Sequence, residues 1–323
     1  MPVSRRSLFA IAGTTVGALA MPAIVPARAA APAMQPDRSA DFRRFHIGEF
    51  ELTALSDGHR TASDPGSIFG TEQDKKTIAD LARANFLPAD SMRSSYAPAL
   101  LNTGEELILF DTGNGARGRE NGTGRMLAAL KASGYKPEDV SMVVLTHFHG
   151  DHIGGLMEDG APTFANARYV SSRKEYDFWT DDALKGTKAE GNHQMVEELV
   201  VPLKDKFSYV GDGDTVASGV RAMNAFGHTP GHMIFRIESG DRSLVMTGDT
   251  ANHFVFSLQR PEWLVAYDMD HGQATATRKR VFDMIAKERV PFLGYHMPFP
   301  SLGYAEKRDE GYYFVPETYQ LAG

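Results

Sequence analysis

Cysteine is absent from all 323 residues, which excludes disulfides, thiolate nucleophiles and cysteine-bound zinc modules. Long apolar runs are also missing. The best of them, Leu8 to Ala20, falls short of the ~20 residues that span a bilayer. Positive charge is in deficit, with 34 basic against 41 acidic residues and a formal net charge of -7. Without Arg5, Arg6 and Arg28 the balance is 31 to 41, a charge of -10. So acidic a chain has no electrostatic means of neutralising phosphates, and no nucleic-acid partner is expected. What remains is ordinary globular material, 42% apolar and 23% charged, long enough for one large domain or two small ones.

The N-terminus carries an export pattern. Ser4-Arg5-Arg6-Ser7-Leu8-Phe9 gives a charged start with twin arginines, followed by the apolar run and by Ala27-Arg28-Ala29, a small-x-small cleavage pattern. This order predicts a twin-arginine signal peptide over residues 1–29, a flexible leader over 30–41 rich in Ala and Pro, and a folded domain over 42–323. The mature protein is then periplasmic and has no membrane-bound part.

Along that domain, short apolar runs end repeatedly in polar residues. Phe50 to Leu55 reads as a strand ending in Ser56-Asp57-Gly58, and Leu107 to Phe110 as one ending in Asp111-Thr112-Gly113. Met142 to Leu145 is a buried strand that runs into Thr146-His147-Phe148-His149-Gly150-Asp151-His152. Val220 to Phe226 leads into Gly227-His228-Thr229-Pro230-Gly231-His232, Ser243 to Met246 into Thr247-Gly248-Asp249, and Phe292 to Tyr295 into His296. Helical spacing marks Lys75 to Phe86, Met126 to Ser133, Arg173 to Trp179 and Thr277 to Lys287. Both halves share this rhythm. The fold class expected is α/β, an αββα sandwich of two mixed sheets with helices outside.

In an extended chain residues i and i+2 face the same side, so His147 and His149 can address one metal ion together. The turn at Gly150 swings Asp151 and His152 towards a second position, because four ligands from so short a segment cannot share one tetrahedral ion without strain. His228, Asp249 and His296, each at a strand end, can complete the two sets.

His147-x-His149-x-Asp151-His152, together with those later residues, resembles the metallo-β-lactamase fold superfamily. Within it the chain is similar to the dinuclear hydrolases that include methyl parathion hydrolase and related lactonases, on Phe50 to Gly58, Asp177-Phe178-Trp179 and Gly227 to His232 as well. The resemblance implies two zinc ions per chain, with cobalt, manganese or iron compatible with the same ligands. His147, His149 and His228 would hold one ion, and Asp151, His152 and His296 the other. Asp249 would bridge both, and a water made nucleophilic between the ions would attack the substrate. It further implies a small-molecule substrate and a homodimer. A β-lactamase proper is disfavoured, since those enzymes lack the bridging carboxylate. A glutathione-thioester hydrolase uses the same ligands but conflicts with export. The alternative from another class, a zinc-binding protein without turnover, would carry closed ligand sets and a His-rich tract, which this sequence does not have.

Around the centre, Asp111 either orients a ligand histidine or is a plain turn carboxylate, and His232 supports the loop of His228. Trp179 either lines an aromatic pocket or is buried by its helix. His253 and Phe254 are expected at the pocket wall, and His46, His59, His193 and His271 in solvent. Asn114 to Gly124 is polar, flexible and free of aromatics where methyl parathion hydrolase has an aromatic wall. A lactone or aryl ester is therefore the expected substrate, with weak phosphotriester hydrolysis. The alternative is an organophosphate hydrolase of the methyl parathion type.

Overall fold

The computed structural model describes residues 33–34, 40–309 and 311–318. The export segment and nearly all of the leader lie outside them. The chain divides into Met1–Arg38 and Ser39–Gly323, and everything below concerns the second unit.

Two seven-stranded sheets form the middle of the fold, and in each the spatial order of the strands follows the chain. The first holds β1 (Phe42–Ile47), β2 (Phe50–Leu55), β3 (Ala99–Asn102), β4 (Leu107–Phe110), β5 (Met142–Val144), β6 (Arg168–Ser172) and β7 (Phe207–Val210). Its first three pairings are antiparallel and its last three parallel. The second holds β8 (Thr215–Ala217), β9 (Val220–Asn224), β10 (Met233–Ser239), β11 (Arg242–Gly248), β12 (Phe292–Gly294), β13 (Leu302–Arg308) and β14 (Gly311–Pro316). Only β11 and β12 pair in parallel.

Side-chain alternation builds the layers. Ile108 and Phe110 of β4 face the other sheet, meeting Phe235, Ile237 and Met246, while Leu107 and Leu109 face helices on the outside. On that outer face pack α2 (Met126–Ala132), α3 (Arg173–Trp179) and α4 (Glu190–Leu199). The second sheet is covered by α5 (His271–Glu288), which sets Val281, Phe282 and Ile285 against Ile234, Val245 and Phe292. A satellite cluster joins α1 (Lys75–Ala84), the hairpin His59–Ser63/Ser91–Ser95 and Val255, Phe256 and Trp263. No helix among the described residues is long and apolar enough to cross a membrane.

The runs expected as strands and helices are present with ends moved by a few residues. The long last helix begins at His271, six residues before Thr277, because Asp270 caps it by accepting from the Gln273 amide. Asn114 to Gly124 is not the flexible loop its composition suggested. It winds into two short helical turns, Gly115–Gly118 and Arg119–Asn121, and buried Asp57 fixes both ends. The Asp57 carboxylate accepts from the amides of Asn114, Gly124 and Met126 and from the Asn114 side chain at 2.8–3.1 Å.

Candidate metal centre

Parallel pairing aligns the ends of β4, β5 and β6 at one edge of the first sheet, and β11 with β12 at the matching edge of the second. The polar strand ends therefore meet between the sheets, where open α/β folds place their ligands. His147 and His149 follow β5, and Gly150–Ile153 turns at once into a short helix carrying Asp151 and His152. His228 follows β9, Asp249 follows β11 and His296 follows β12. Gly248 takes φ +46 in this turn, and a β-carbon there would stand 2.6 Å from the His232 ring, so only glycine lets Asp249 turn inward.

Two groups of possible ligand atoms result, His147/His149/His228/Asp249 and Asp151/His152/Asp249/His296, with Asp249 in both. In the first, His149 Nδ1 lies 3.0 Å from both His147 Nε2 and His228 Nε2, and Asp249 Oδ2 lies 3.3 Å from His228 Nε2. In the second, His152 Nε2 stands 3.5 Å from Asp151 Oδ2 and 3.3 Å from Asp249 Oδ1, and His296 Nε2 stands 3.4 and 3.1 Å from the same two carboxylates. Corners of a tetrahedron about an ion bound at ~2.0 Å are ~3.3 Å apart, so both groups have the dimensions of a metal shell.

Tautomers decide what those atoms are. Thr146 donates its hydroxyl to Asp111 Oδ2 at 2.9 Å and must therefore accept from His147 Nδ1–H at 3.0 Å. His152 Nδ1–H donates to Asp111 at 2.8 Å, His228 Nδ1–H to Asp268 at 3.0 Å and His296 Nδ1–H to the Ser95 carbonyl at 3.0 Å. Each of these rings is left with a bare Nε2 pointing inward. His149 Nδ1 can carry one proton at most, so its two 3.0 Å contacts with bare Nε2 atoms cannot both be full hydrogen bonds, and a cation between the three nitrogens would relieve the repulsion. His152 Nε2 and Asp249 Oδ1 are, in addition, buried without any hydrogen-bond partner. The donor set fits two divalent ions.

Without ions between them, the buried charges pull these groups in different directions, and protons take the place of the cations on some rings. Burial and the neighbouring His228 bring the His149 pKa down to about 3. Burial alone would lower His228 too, but hydrogen bonds to the Asp249 and Asp268 carboxylates raise it to about 9. Against burial, which pushes it up, the imidazoles of His152 and His296 hold the Asp151 carboxyl at about 2.

The seven residues expected as ligands are thus brought together, and Asp111 supports His152 while also accepting from the Thr146 amide at 2.8 Å. His232 Nδ1 meets the carbonyl of Ala225, at the base of the His228 loop, at 3.0 Å, and its Nε2 accepts from the Asp249 amide at 3.1 Å, so the ring supports both that loop and Asp249.

Three expectations do not hold, and of the two readings of Trp179 the buried one is correct. Trp179 is not a pocket wall. It is 2% exposed, donates to Glu175 at 2.8 Å and presents its ring to His149, because α3 turns that face into the core. His253 is buried against Phe69 and Phe256, and its Nδ1 accepts from the amides of Val255 and Phe256, which turns it away from the cavity. Phe254 stacks on His253 and packs into the core as well. His193 is buried rather than solvated: it shares one face of α4 with Val196 and Leu199, and its Nδ1 meets the Trp179 carbonyl at 2.8 Å.

Other residues of the site carried no sequence signal. Glu175 accepts from the Phe148 amide, Trp179 Nε1, Thr229 Oγ1 and the Gly231 amide at 2.7–2.9 Å, stapling the two histidine loops together. Asp268 holds His228, and Asn252 donates to Asp249 Oδ2 at 2.9 Å. A cavity of about 490 Å³ opens over the centre, lined on its outer side by Arg60, Tyr96, Asn114, Arg117, Asn192 and Tyr267 among others.

Two metal positions sharing one carboxylate beneath an open cavity define a dinuclear metallohydrolase. The family model of the metallo-beta-lactamase superfamily matches residues 98–291, and the chain belongs to that superfamily. It is a metal-dependent hydrolase, and its relatives include lactonases. N-acyl homoserine lactonases of Bacillus cereus and of a Bacillus sp. are each 28% identical to it, over 172 and 215 residues. Those matches cover 53% and 61% of this chain and 62% and 79% of the relatives. Among solved structures, the dizinc quorum-quenching lactonase AidC, in complex with a product homoserine, matches with a TM-score of 0.81 and 28% identity over 86% of this chain and 98% of its own. The hydrolase AbOPH of the beta lactamase superfamily matches with a TM-score of 0.79 and 30% identity over 88% and 99%.

Proposed function

We propose that the protein is an exported dinuclear zinc hydrolase that opens lactones and aryl esters and cleaves phosphotriesters only weakly. The observation that carries the substrate reading is the cavity wall over the metal centre. Its 114–124 side is polar, formed by Asn114, Arg117, Asn121 and Thr123, and the aromatic side chains that line the cavity, apart from the histidines, are Phe69, Tyr96 and Tyr267. Similarity to lactonases supports the same reading. Neutral imidazoles and carboxylates suit zinc, and the related AidC is a dizinc enzyme. Export rests on Arg5-Arg6, the apolar run and Ala27-Arg28-Ala29.

Two bound divalent ions would supply a water that is nucleophilic near neutral pH and a positive pole for the scissile carbonyl. The chain's own groups do the rest. Asp249, shared by the two ligand sets and held by Asn252 and His232, fixes their spacing. Burial, reinforced by the Asp151 carboxylate, pushes the Tyr96 hydroxyl well above its ordinary value, and burial also raises that of Tyr267. Both phenols stay protonated at neutral pH and line the cavity, so they offer donors to the oxygens of a bound ester.

The test is a panel of lactones, aryl esters and phosphotriesters against the zinc-loaded protein, with a chelator control. Lactone turnover that disappears with chelator and returns with zinc is the expected result. Phosphotriesters as the best substrates, or lactones untouched, would overturn the reading.

A further inference from the structure

Apart from the metal ligands, the cavity wall is chemically one-sided. Arg60 and Arg117 are cationic, no other acidic side chain lines it, and Phe69 and Met195 are its only wholly apolar side chains of any size. The charge of Arg117 is taken up by an ion pair with Glu198. Arg60 has no carboxylate partner among the described residues.

Its position is set by the hairpin. Arg60 pairs directly opposite Ser94, so the two side chains leave the ribbon on the same face, and both line the cavity. Tyr96 lies two residues beyond Ser94 and lines it too. The Arg60 guanidinium is close enough to the Tyr96 and Tyr267 phenols to oppose the upward push that burial gives them. The amides of Asn114, Asn121 and Asn192 line the same cavity. Solvent alone accounts for many surface arginines. An arginine without a partner, in the wall of the reaction cavity and beside hydroxyl donors, has the geometry of an anion reader.

We infer that the substrate carries a carboxylate remote from its scissile carbonyl, and that Arg60, assisted by Ser94, recognises it. The inference rests on the hydrolase reading above and narrows it from lactones and esters in general to those with an anionic tail. Guanidinium and carboxylate match as a two-pronged, charge-assisted pair, which gives the pair direction as well as strength.

The test separates binding from turnover. Calorimetry on the zinc-loaded protein compares straight-chain diacids from succinate to adipate with monoacids of equal length, in the wild type, Arg60→Met and Arg60→Lys. One diacid should bind about tenfold more tightly than its monoacid, as expected for one charge-assisted contact. That ratio should collapse in Arg60→Met and survive in part in Arg60→Lys. In kinetics, the ratio of kcat/KM for a homoserine lactone with a carboxylate-ended acyl chain over its methyl-ended counterpart should fall about tenfold in Arg60→Met, mostly through KM. Equal binding of diacids and monoacids by the wild type, or an unchanged ratio in Arg60→Met, would overturn the inference. A diacid preference that depends on Arg60 while no lactone is hydrolysed would sink the lactonase reading and leave the anion site standing.

Discussion

Asp268 joins the buried Arg278 guanidinium at 2.6 Å through one carboxylate oxygen and holds His228 Nδ1 at 3.0 Å with the other. Both members of this ion pair are almost fully buried. Arg278 also donates to the carbonyl of Thr250, the residue after Asp249, at 2.9 Å. One arginine of α5 thus steadies the His228 and Asp249 arms of the metal centre together. Asp268→Asn should lower metal affinity about 10–100-fold, the usual effect of losing a ligand's supporting carboxylate. It should also destabilise the fold by about 3–5 kcal/mol, because Arg278 is left charged and unpaired. Metal titration and denaturant unfolding of the one variant check both figures. An unchanged metal affinity would show that His228 is oriented by something else.

Asp249→Ala should abolish two-metal loading and nearly all activity while the protein still folds. His232→Ala should cost less, because its ring reaches Asp249 only through the backbone amide. Leaving that buried amide without an acceptor costs ~1–3 kcal/mol. Bound metal per chain, measured after dialysis, should separate the variants: a marked loss for Asp249→Ala and near-complete retention for His232→Ala. Equal losses would place His232 among the ligands.

Glu175→Gln tests the staple between the histidine loops. Every contact the carboxylate makes is with a donor, so the amide nitrogen of Gln would face an N–H or O–H instead of accepting from it. Burial raises the Glu175 pKa and these four donors oppose it, which keeps the acceptor role central. A loss of about 2–4 kcal/mol follows from two mismatched buried hydrogen bonds. A midpoint within experimental error of the wild type in denaturant unfolding would rule the staple out.

The pH response of the metal-free protein follows from the same charges. The folded pKa of His228 is raised to about 9, and those of His152 and His296 are raised too; burial opposes each of these shifts and nearby carboxylates cause them. A raised histidine stabilises the fold fully below its unfolded value of about 6.5, and that stability is lost as pH rises through the folded value. His149, lowered to about 3, has no effect above pH 6.5. Metal-free protein should therefore lose stability from about pH 6.5 to 9. Metal binding, which must displace these protons, should tighten over the same range and release protons. Thermal unfolding with and without zinc, and calorimetry in buffers of different ionisation heat, measure the two. Stability of the metal-free protein rising over that range would contradict the assignment.

The strand ends and the ligand set were legible because they are local. An apolar run followed by His147-Phe148-His149-Gly150-Asp151-His152 states both the strand and its purpose, and alternation in Leu107 to Phe110 states the layers. Residues whose role lies in a distant partner were not legible. Asp268 and Arg278 look like a loop acid and a solvated helix cation until the fold sets His228 and Thr250 beside them. Glu175 looks like an N-terminal helix charge, yet it collects donors from two loops far along the chain. Helical spacing could not decide whether Trp179 faced the cavity or the core. His193 was misread because its helix, Glu190–Leu199, has few apolar residues to mark its inner face. The composition of Asn114 to Gly124 suggested flexibility because the acceptor that orders it, Asp57, stands 57 residues before Asn114.

Substrate preference is the widest test, and that ordered segment bears on it directly. Asn114, Arg117, Gly118, Asn121 and Thr123 all line the cavity, so this wall is polar and held in place. Neither Trp179, buried behind His149, nor His253 and Phe254 supply the aromatic surface expected of them. On the 114–124 side an aryl phosphotriester would leave its ring against amides and a guanidinium, with Phe69, Tyr96 and Tyr267 as the aromatic surface elsewhere in the wall, forfeiting about 1.5–3 kcal/mol for each apolar side chain that is missing. That amounts to roughly ten- to hundredfold in rate. A lactone loses less, since its ring ester is small and its carbonyl meets the metal centre directly. In kcat/KM under one zinc condition, dihydrocoumarin and an acyl-homoserine lactone should both exceed methyl parathion by at least tenfold. Exchanging Asn121, an exposed residue of the same wall, for Phe should narrow that gap from the phosphotriester side, by giving the aryl group a surface to pack on. Methyl parathion ranking first in the wild type would mean that the 114–124 wall does not touch the leaving group, and the preference for lactones would lose its structural basis.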